Sequence, residues 1–416
     1  MKLAHVLAQD PTHFRGGAEV VAWAQARAMA ALGHDVRVVV PARNRFEAGS
    51  LSVDGLELHR ILPREDASPT VFVDAEARDD VVRAAADCDL VHVHHWYSSS
   101  LDLVRYLAVE RAVVLHLHDA FAVCARSFCV PQHGASCPTG GGADACVGCL
   151  APDFAALGSG GVRALLEARR DLLQVEFAAA DAVVAPSAFL ARLVAEMLGS
   201  REPQVVPHGL CVVAQPAREF HPRAAGEPLR LLHPGNRTTV KGCMDLARAV
   251  AALPAASVSL RFVGREVEPG LDRKLAELGG ENVVIEGEYS ADEWPWLAAE
   301  HDLCLLPSRA AESYGLVAEE ALAHGLPTWV SDRGALAERV AAAEAAHPLA
   351  GRVLPAESPV AWCEALRELV DSEAELHHAR RLLPRESRTV HDSALELEAL
   401  DRALLAADPR LPLRSA

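Results

Sequence analysis

Leu3-Ala4-His5-Val6-Leu7-Ala8 opens the chain as a short apolar run, and residues 9–17 follow it as a polar loop ending in Gly16-Gly17. Ala18 to Leu32 then changes period. Val20, Val21, Trp23, Ala24, Ala28 and Met29 recur at helical spacing until Gly33 stops them. His34-Asp35-Val36-Arg37-Val38-Val39-Val40-Pro41 is apolar again at strand length. Strand, loop, helix and strand make a βαβ unit, which requires a parallel sheet covered by helices.

The same pattern runs outward from this stretch. Asp89 to His94 and Ala112 to His118 read as strands, and Asp181 to Ser187 as another that opens a helix at Ala188. Residues 202–230 carry Pro203, Pro207, Gly209, Pro216, Pro222 and Gly226 with no long helical pattern, which marks an interdomain linker. The α/β alternation restarts with strands at Leu229 to His233, Leu260 to Gly264, Val283 to Ile285, Leu303 to Leu306 and Thr328 to Ser331. The tail over 358–407 is helical and charged. A chain of 416 residues exceeds what one core comfortably fills. The expectation is an α/β protein of two doubly wound, Rossmann-like domains facing a cleft, with ligand sites outside the carboxyl ends of the strands. The predicted domains are 1–205, with a cysteine-rich insert at 120–150, and 206–390, followed by a C-terminal helix over 391–416 that returns to the first domain.

Half the residues are apolar, which excludes disorder, collagen and a disulfide miniprotein. Forty Lys and Arg against 57 Asp and Glu leave a formal charge of −17, so nucleic acid is not an expected partner and any polyanion must find a local basic pocket. Lysine is scarce (Lys2, Lys241 and Lys274), so its placement carries information. No apolar run reaches about 18 residues, so no membrane span is expected. The N-terminus lacks a cleavable signal pattern, and the expected location is the cytoplasm with reduced cysteines.

Two segments of the second half carry the chemistry. In the first, Pro307 to Pro327, an apolar strand leads through Glu312-Ser313-Tyr314-Gly315-Leu316 into a helix that bears Glu320. Amides at a helix start form an anion site, and two carboxylates bracketing it suit hydroxyl recognition, one for a sugar and one for a ribose. Solvated glutamates on a capped surface helix are the plain alternative. In the second, His233-Pro234-Gly235-Asn236-Arg237-Thr238-Thr239-Val240-Lys241-Gly242, a glycine loop follows a strand and its Lys and Arg can neutralise a diphosphate. Near the N-terminus, Phe14-Arg15-Gly16-Gly17-Ala18-Glu19 lets backbone approach a ligand. It is not GxGxxG, so a dinucleotide has no support.

Together these segments resemble the retaining, nucleotide-sugar-dependent glycosyltransferases of family 4 with the GT-B fold. The resemblance covers almost the whole chain in order: the glycine pair with Glu19, Asp89 to His94, His118-Asp119, Ala185-Pro186-Ser187, Val206-Pro207-His208-Gly209, the Gly235-to-Gly242 loop, Val263-Gly264, and Glu312 to Leu316 with Glu320. It implies that Lys241 contacts the donor diphosphate and that Glu312 holds donor-sugar hydroxyls. Glu320 would hold the ribose, the Ser313, Tyr314, Gly315 and Leu316 stretch would meet the phosphates through its amides, and Gly16 and Gly17 would approach the diphosphate or acceptor. Asn236 stands where many members have an arginine, which leaves Arg237 as the neighbouring phosphate candidate. His118 would sit near the reacting carbon, and His118 and Glu312 are the expected catalytic residues. The implied activity moves a hexose from a UDP- or GDP-sugar to a sugar, lipid or small-molecule acceptor without a catalytic metal, with peripheral membrane contact for a lipid acceptor. Rival readings are an epimerase or phosphorylase of the same fold, or a non-catalytic metal or thiol scaffold.

Half of the ten cysteines, Cys124, Cys129, Cys137, Cys146 and Cys149, lie just after His118-Asp119, in a segment containing Gly140-Gly141-Gly142. The Cys146/Cys149 spacing is a metal knuckle, and four thiolates make a closed structural zinc site. Cys124, Cys137, Cys146 and Cys149 are the expected ligands, with Cys129 as the alternate; free thiols are the plain alternative. The histidines at 92, 94 and 95 read as structural or solvated, and the amphipathic helix near Val162–Phe177 is expected to pack on the sheet, with a membrane surface as the alternative.

Overall fold

The computed structural model describes residues 1–14, 16–62, 73–131, 137, 142–211, 219–224, 226–370, 372–384, 387–408 and 410. Arg15 of the first glycine loop, Gly140 and Gly141 of the cysteine segment and Pro216 of the predicted linker lie outside the described residues. The chain divides into two compact units. The first comprises Met1–Ser127, Pro138–Cys211 and Arg388–Ala416, and the second Phe128–Cys137 and Val212–Ser387. The division thus falls after Cys211 rather than at 205. Part of the cysteine-rich segment groups with the second unit, and the last helix, Val390–Ala407, groups with the first.

The first unit holds strands β1 (Lys2–Val6), β2 (Asp35–Pro41), β3 (Gly49–Val53), β4 (Leu56–Ile61), β5 (Leu90–Val93), β6 (Ala112–His116), β7 (Ala182–Ala185) and β8 (Gln204–Val205). Their order is β3-β4-β2-β1-β5-β6-β7-β8. Only β3–β4 is antiparallel, a hairpin turned by Asp54 (φ 51°) and Gly55 (φ 82°), whose positive φ values are those of the turn that matches strand twist. β5 and β6 are buried along their whole length, as strands covered on both faces must be. On one face Leu3, Val38, Leu90 and Val114 pack under Ala22, Ala26 and Met29 of the helix Gly17–Ala31 and under Ala394 and Leu397 of Val390–Ala407.

The second unit holds β9 (Leu229–Pro234), β10 (Val258–Val263), β11 (Val283–Glu286), β12 (Leu303–Leu306), β13 (Thr328–Ser331) and β14 (Gly351–Leu354), all parallel, in the order β11-β10-β9-β12-β13-β14. Leu231, Leu260, Phe262, Trp329 and Trp362 fill its main core. Chain order runs outward in opposite directions from β9 and β12. The pair is therefore a switch point, where loops leave the strand ends on opposite faces and open a crevice. The corresponding point in the first sheet lies between β1 and β5. No helix of the described residues is long and apolar enough to cross a membrane.

Candidate active site

The loop after β9 and the loop after β12 meet at the second unit's switch point. Thr238 caps the turn Thr239–Lys241 by accepting from the Lys241 amide, and Gly242 leaves it at φ 76°. A Cβ at Gly242 would lie 2.0 Å from the Pro307 carbonyl oxygen, so glycine is required for the two loops to touch. The Arg309 amide donates to the Val240 carbonyl (2.9 Å), which closes the junction. On the far side, Gly334 (φ 66°) lies against the Glu312 backbone, and the Ala335 amide donates to the Glu312 carbonyl (2.7 Å).

These braces bring Lys241 and Glu312 together across 71 residues of sequence. Lys241 Nζ donates to Glu312 Oε1 at 2.6 Å, and Ser308 Oγ donates to the same oxygen at 2.7 Å. Burial on its own would raise the Glu312 carboxyl, but the Lys241 charge and the two hydrogen bonds outweigh it and hold the group below the ordinary glutamate range. Glu320 has the opposite environment. Burial, reinforced by the neighbouring Glu319 charge and only partly offset by a hydrogen bond from Trp294, pushes it up to about 7. One carboxylate is thus ionised and paired, and the other is poised between its two forms at neutral pH.

The helix Leu316–Ala323 starts at Gly315, whose φ of 95° ends the loop without a side-chain cap. Tyr314 is buried with the Arg339 guanidinium 4.4 Å above its ring, which anchors the loop, and Ser313 lies half-buried beside it. Glu320 sits one turn into this helix. Arg237 is occupied elsewhere: its guanidinium pairs with both oxygens of Asp272 (2.5 and 2.8 Å) and donates to the Gly264 and Glu286 carbonyls. It is 3% exposed, so it braces the strand ends instead of presenting its charge to a phosphate. This leaves Lys241 as the loop's cation at the crevice.

In the first unit, Gly17 begins the helix Gly17–Ala31 and Gly16 is its extended N-cap. A Cβ on Gly16 would lie 2.4 Å from Glu19 Oε2 and 2.6 Å from Phe14 Cε1. The space glycine leaves is therefore filled by the folded-back Glu19 carboxyl, which burial raises. His118, two residues beyond β6, is buried, and burial, helped by the nearby His95, lowers it to about 3. At neutral pH it is uncharged. It is not alone: His118 Nε2 meets His94 Nδ1 (3.0 Å), His94 Nε2 meets His5 Nδ1 (2.8 Å), and His92 joins His116 (2.9 Å) to Asp401 (3.1 Å). From the sequence alone His92 and His94 read as structural or solvated residues. The signal was His-x-His at 92/94 and again at 116/118, which sets all four side chains on one sheet face.

Among the cysteines, Cys146 and Cys149 are one turn apart on the helix Gly142–Leu150. Burial raises the Cys146 thiol, and the neighbouring Cys124 and Cys149 raise it further. Arg126 Nε donates to Cys149 Sγ at 3.3 Å. Cys129 is buried and its carbonyl accepts from the Cys137 amide (3.2 Å). Among the described residues, the one set of three or more ligand atoms within 4.8 Å of one another is His94, His116 and His118; the thiols are not so gathered.

Residues 15–212 match the family described as Glycosyltransferase Family 4, and residues 228–372 match Glycosyl transferases group 1. The chain belongs to the family 4 glycosyltransferases of the GT-B fold. The glycosyltransferase is 29% identical over 336 residues, 76% of this chain and 72% of the other, to a D-inositol 3-phosphate glycosyltransferase of Catenulispora acidiphila. Its fold is like that of sucrose-phosphate synthase from Thermosynechococcus elongatus (TM-score 0.69, 17% identity, 98% of this chain and 100% of that one). It is also like that of Anabaena Alr3699/HepE in complex with UDP-glucose (TM-score 0.64, 16% identity, 97% and 100%).

Proposed function

We propose that this glycosyltransferase moves a hexose from a nucleoside-diphosphate sugar to a hydroxyl acceptor with retention at the anomeric carbon. The observation that carries the reading is the Lys241–Glu312 pair at the switch point between β9 and β12, beside the uncapped start of the helix Leu316–Ala323. As the sugar–phosphate bond breaks, negative charge develops on the leaving diphosphate. The Lys241 ammonium and the first amides of that helix are preorganised to stabilise it without a metal. Donor phosphate and Glu312 share the ammonium, so binding frees carboxylate capacity on Glu312 for sugar hydroxyls. Glu320 takes the ribose, accepting from a hydroxyl when ionised and donating to one when protonated. The departing phosphate itself accepts the acceptor's proton on the same face. The family resemblance gives His118 a contact with the transferred sugar, in which a neutral ring forms a hydrogen bond and carries no charge.

The acceptor is a sugar, lipid or small molecule, and the D-inositol 3-phosphate enzyme among its relatives makes a phosphorylated polyol one class to try. For the cysteine segment we propose a structural zinc with Cys124, Cys146 and Cys149 among its ligands. The knuckle spacing and the mutual effect of three thiols favour it, and it requires the sulfurs to draw closer than they stand. The decisive assay is nucleoside diphosphate release from UDP-, GDP- and ADP-sugars, alone and with acceptors. Slow hydrolysis of one donor that is lost in Lys241→Ala and Glu312→Ala is expected. No release from any donor, with no nucleotide protecting the fold against heat, would reject transferase chemistry.

A further inference from the structure

Five histidines line one face of the first sheet at the carboxyl ends of β1, β5 and β6. The register pairs His5 with His92, and continued along β5 and β6 it sets His94 opposite His116, with His118 one step further on the same face. All five are buried. Their hydrogen bonds form two strings, packed ring on ring: His5 stacks on His92 (centroids 4.6 Å apart) and His94 on His116 (4.1 Å).

The first string ends on a carboxylate: His92 Nε2 donates to Asp401 Oδ2 at 3.1 Å, and His92 Nδ1 lies 2.9 Å from His116 Nε2. The other string is His5–His94–His118, and its direction is set at the buried end. His5 Nε2 has no hydrogen-bond partner among the described residues. If the string ran from His118 toward His5, that nitrogen would be a buried N–H without an acceptor. Run the other way, it is a bare lone pair, the milder defect. His5 Nδ1–H then donates to His94 Nε2, and His94 Nδ1–H donates to His118 Nε2.

We infer that His94, backed by His5, is a positioning residue that fixes His118 as a neutral ring with its only proton on Nδ1. That makes His118 a hydrogen-bond donor to an oxygen of the transferred sugar, and it removes the ring as a base, because its one lone pair is taken by His94. No hydrogen bond from the described residues reaches His118 Nδ1. The groups around the ring are His94, His95, His116, His208 and Asp119. A metal shared by His94, His116 and His118 fits less well. The His94 and His116 rings lie 28° apart face to face, so their in-plane lone pairs run side by side, and both nitrogens of His94 are engaged.

The inference rests on the proposed sugar contact of His118, and the test separates the two. Nitrogen-15 spectra of the imidazoles in the intact protein read the tautomer directly. His118 is expected as the Nδ1–H form, still uncharged at about pH 5 given its pKa of about 3. In His94→Leu the preference is lost, and donor hydrolysis falls about tenfold to a hundredfold in turnover at unchanged donor KM. His94→Asn, whose amide N–H sits where Nδ1–H was, restores the tautomer and most of the rate. Finding His118 protonated on Nε2 in the wild type, or the same tautomer in His94→Leu, overturns the inference. The expected spectra with full hydrolysis in His118→Phe would uphold the string and overturn the sugar contact alone.

Discussion

Replacing Lys241 by alanine separates a donor-binding role from a structural one, because the two predict effects of different size. The Lys241 side chain is 42% exposed and that of Glu312 18% exposed, so water already screens their attraction. Losing such a pair costs the fold about 0.2–1 kcal/mol, a shift in Tm of at most about 4 °C. Glu312 keeps its Ser308 hydroxyl, so the carboxylate is not stranded. A charge-assisted contact to a donor phosphate is worth about 1.5–3 kcal/mol, which is roughly 10- to 150-fold in Kd. The acid side of the stability profile moves as well. In the wild type the depressed Glu312 pKa contributes stability at pH above its ordinary 4.5, lost as pH falls through the lower folded value. The variant loses that contribution, so its stability advantage at neutral over acid pH shrinks. Calorimetric titration with the nucleoside diphosphate, beside thermal melts at two pH values, measures all three. Unchanged nucleotide affinity in a variant whose melt alone has moved would show that Lys241 only braces Glu312.

Glu320 gives a stability prediction of opposite sign. Its folded pKa of about 7 against an ordinary 4.5 means the native state holds a proton the unfolded chain releases, so stability is full at low pH and declines as pH rises through that window. Glu320→Gln should therefore melt higher than wild type at pH 8, by up to about 3 kcal/mol, and equal it near pH 4; a gain at both pH values would contradict the burial argument. Gly242→Ala places a Cβ 2.0 Å from a main-chain oxygen at positive φ, so a loss of about 2–4 kcal/mol, with donor binding impaired in whatever folds, is expected in denaturant titrations; a near-neutral change would mean the loops do not touch. Elemental analysis of anaerobically purified protein should find about one zinc per chain, lost in Cys146→Ser with Cys149→Ser; a metal-free wild type removes the zinc proposal.

What the sequence reveals about this enzyme tracks how local each signal is. The βαβ start is legible because its periods change within forty residues, and β1, the helix Gly17–Ala31 and β2 fall where the spacing puts them. The hairpin of β3 and β4 escaped that reading although Asp54-Gly55 announces it, since its strands are short and largely polar. Lys241 and Glu312 are each visible as residue types in loops after strands, but only the adjacency of β9 and β12 makes them a pair. Arg237 shows the converse. A cation in a glycine loop looks available until the fold supplies Asp272 and two carbonyls to absorb it.

The histidines are the hardest case and the most instructive. Each His-x-His step is readable within its strand, and it says that two rings share a face. It does not say that β5 and β6 are neighbours, that β1 adds a third strand at matching register, or that Asp401 arrives from a helix 309 residues away in sequence. A single buried histidine is cheap to keep neutral and carries no message. Five in contact are different, because a neutral ring has one donor and one acceptor, and every bond constrains the next. The unpartnered Nε2 of His5 settles the direction of its string, so the protonation of His118 is decided about two rings away from the site it serves. A substitution at His5 should therefore change the tautomer of His118 without touching it. His5→Leu removes the Nδ1–H that orients His94 and frees the string to reverse, which the same imidazole spectra would register. An unaltered His118 signal in that variant would mean the two rings are merely stacked neighbours.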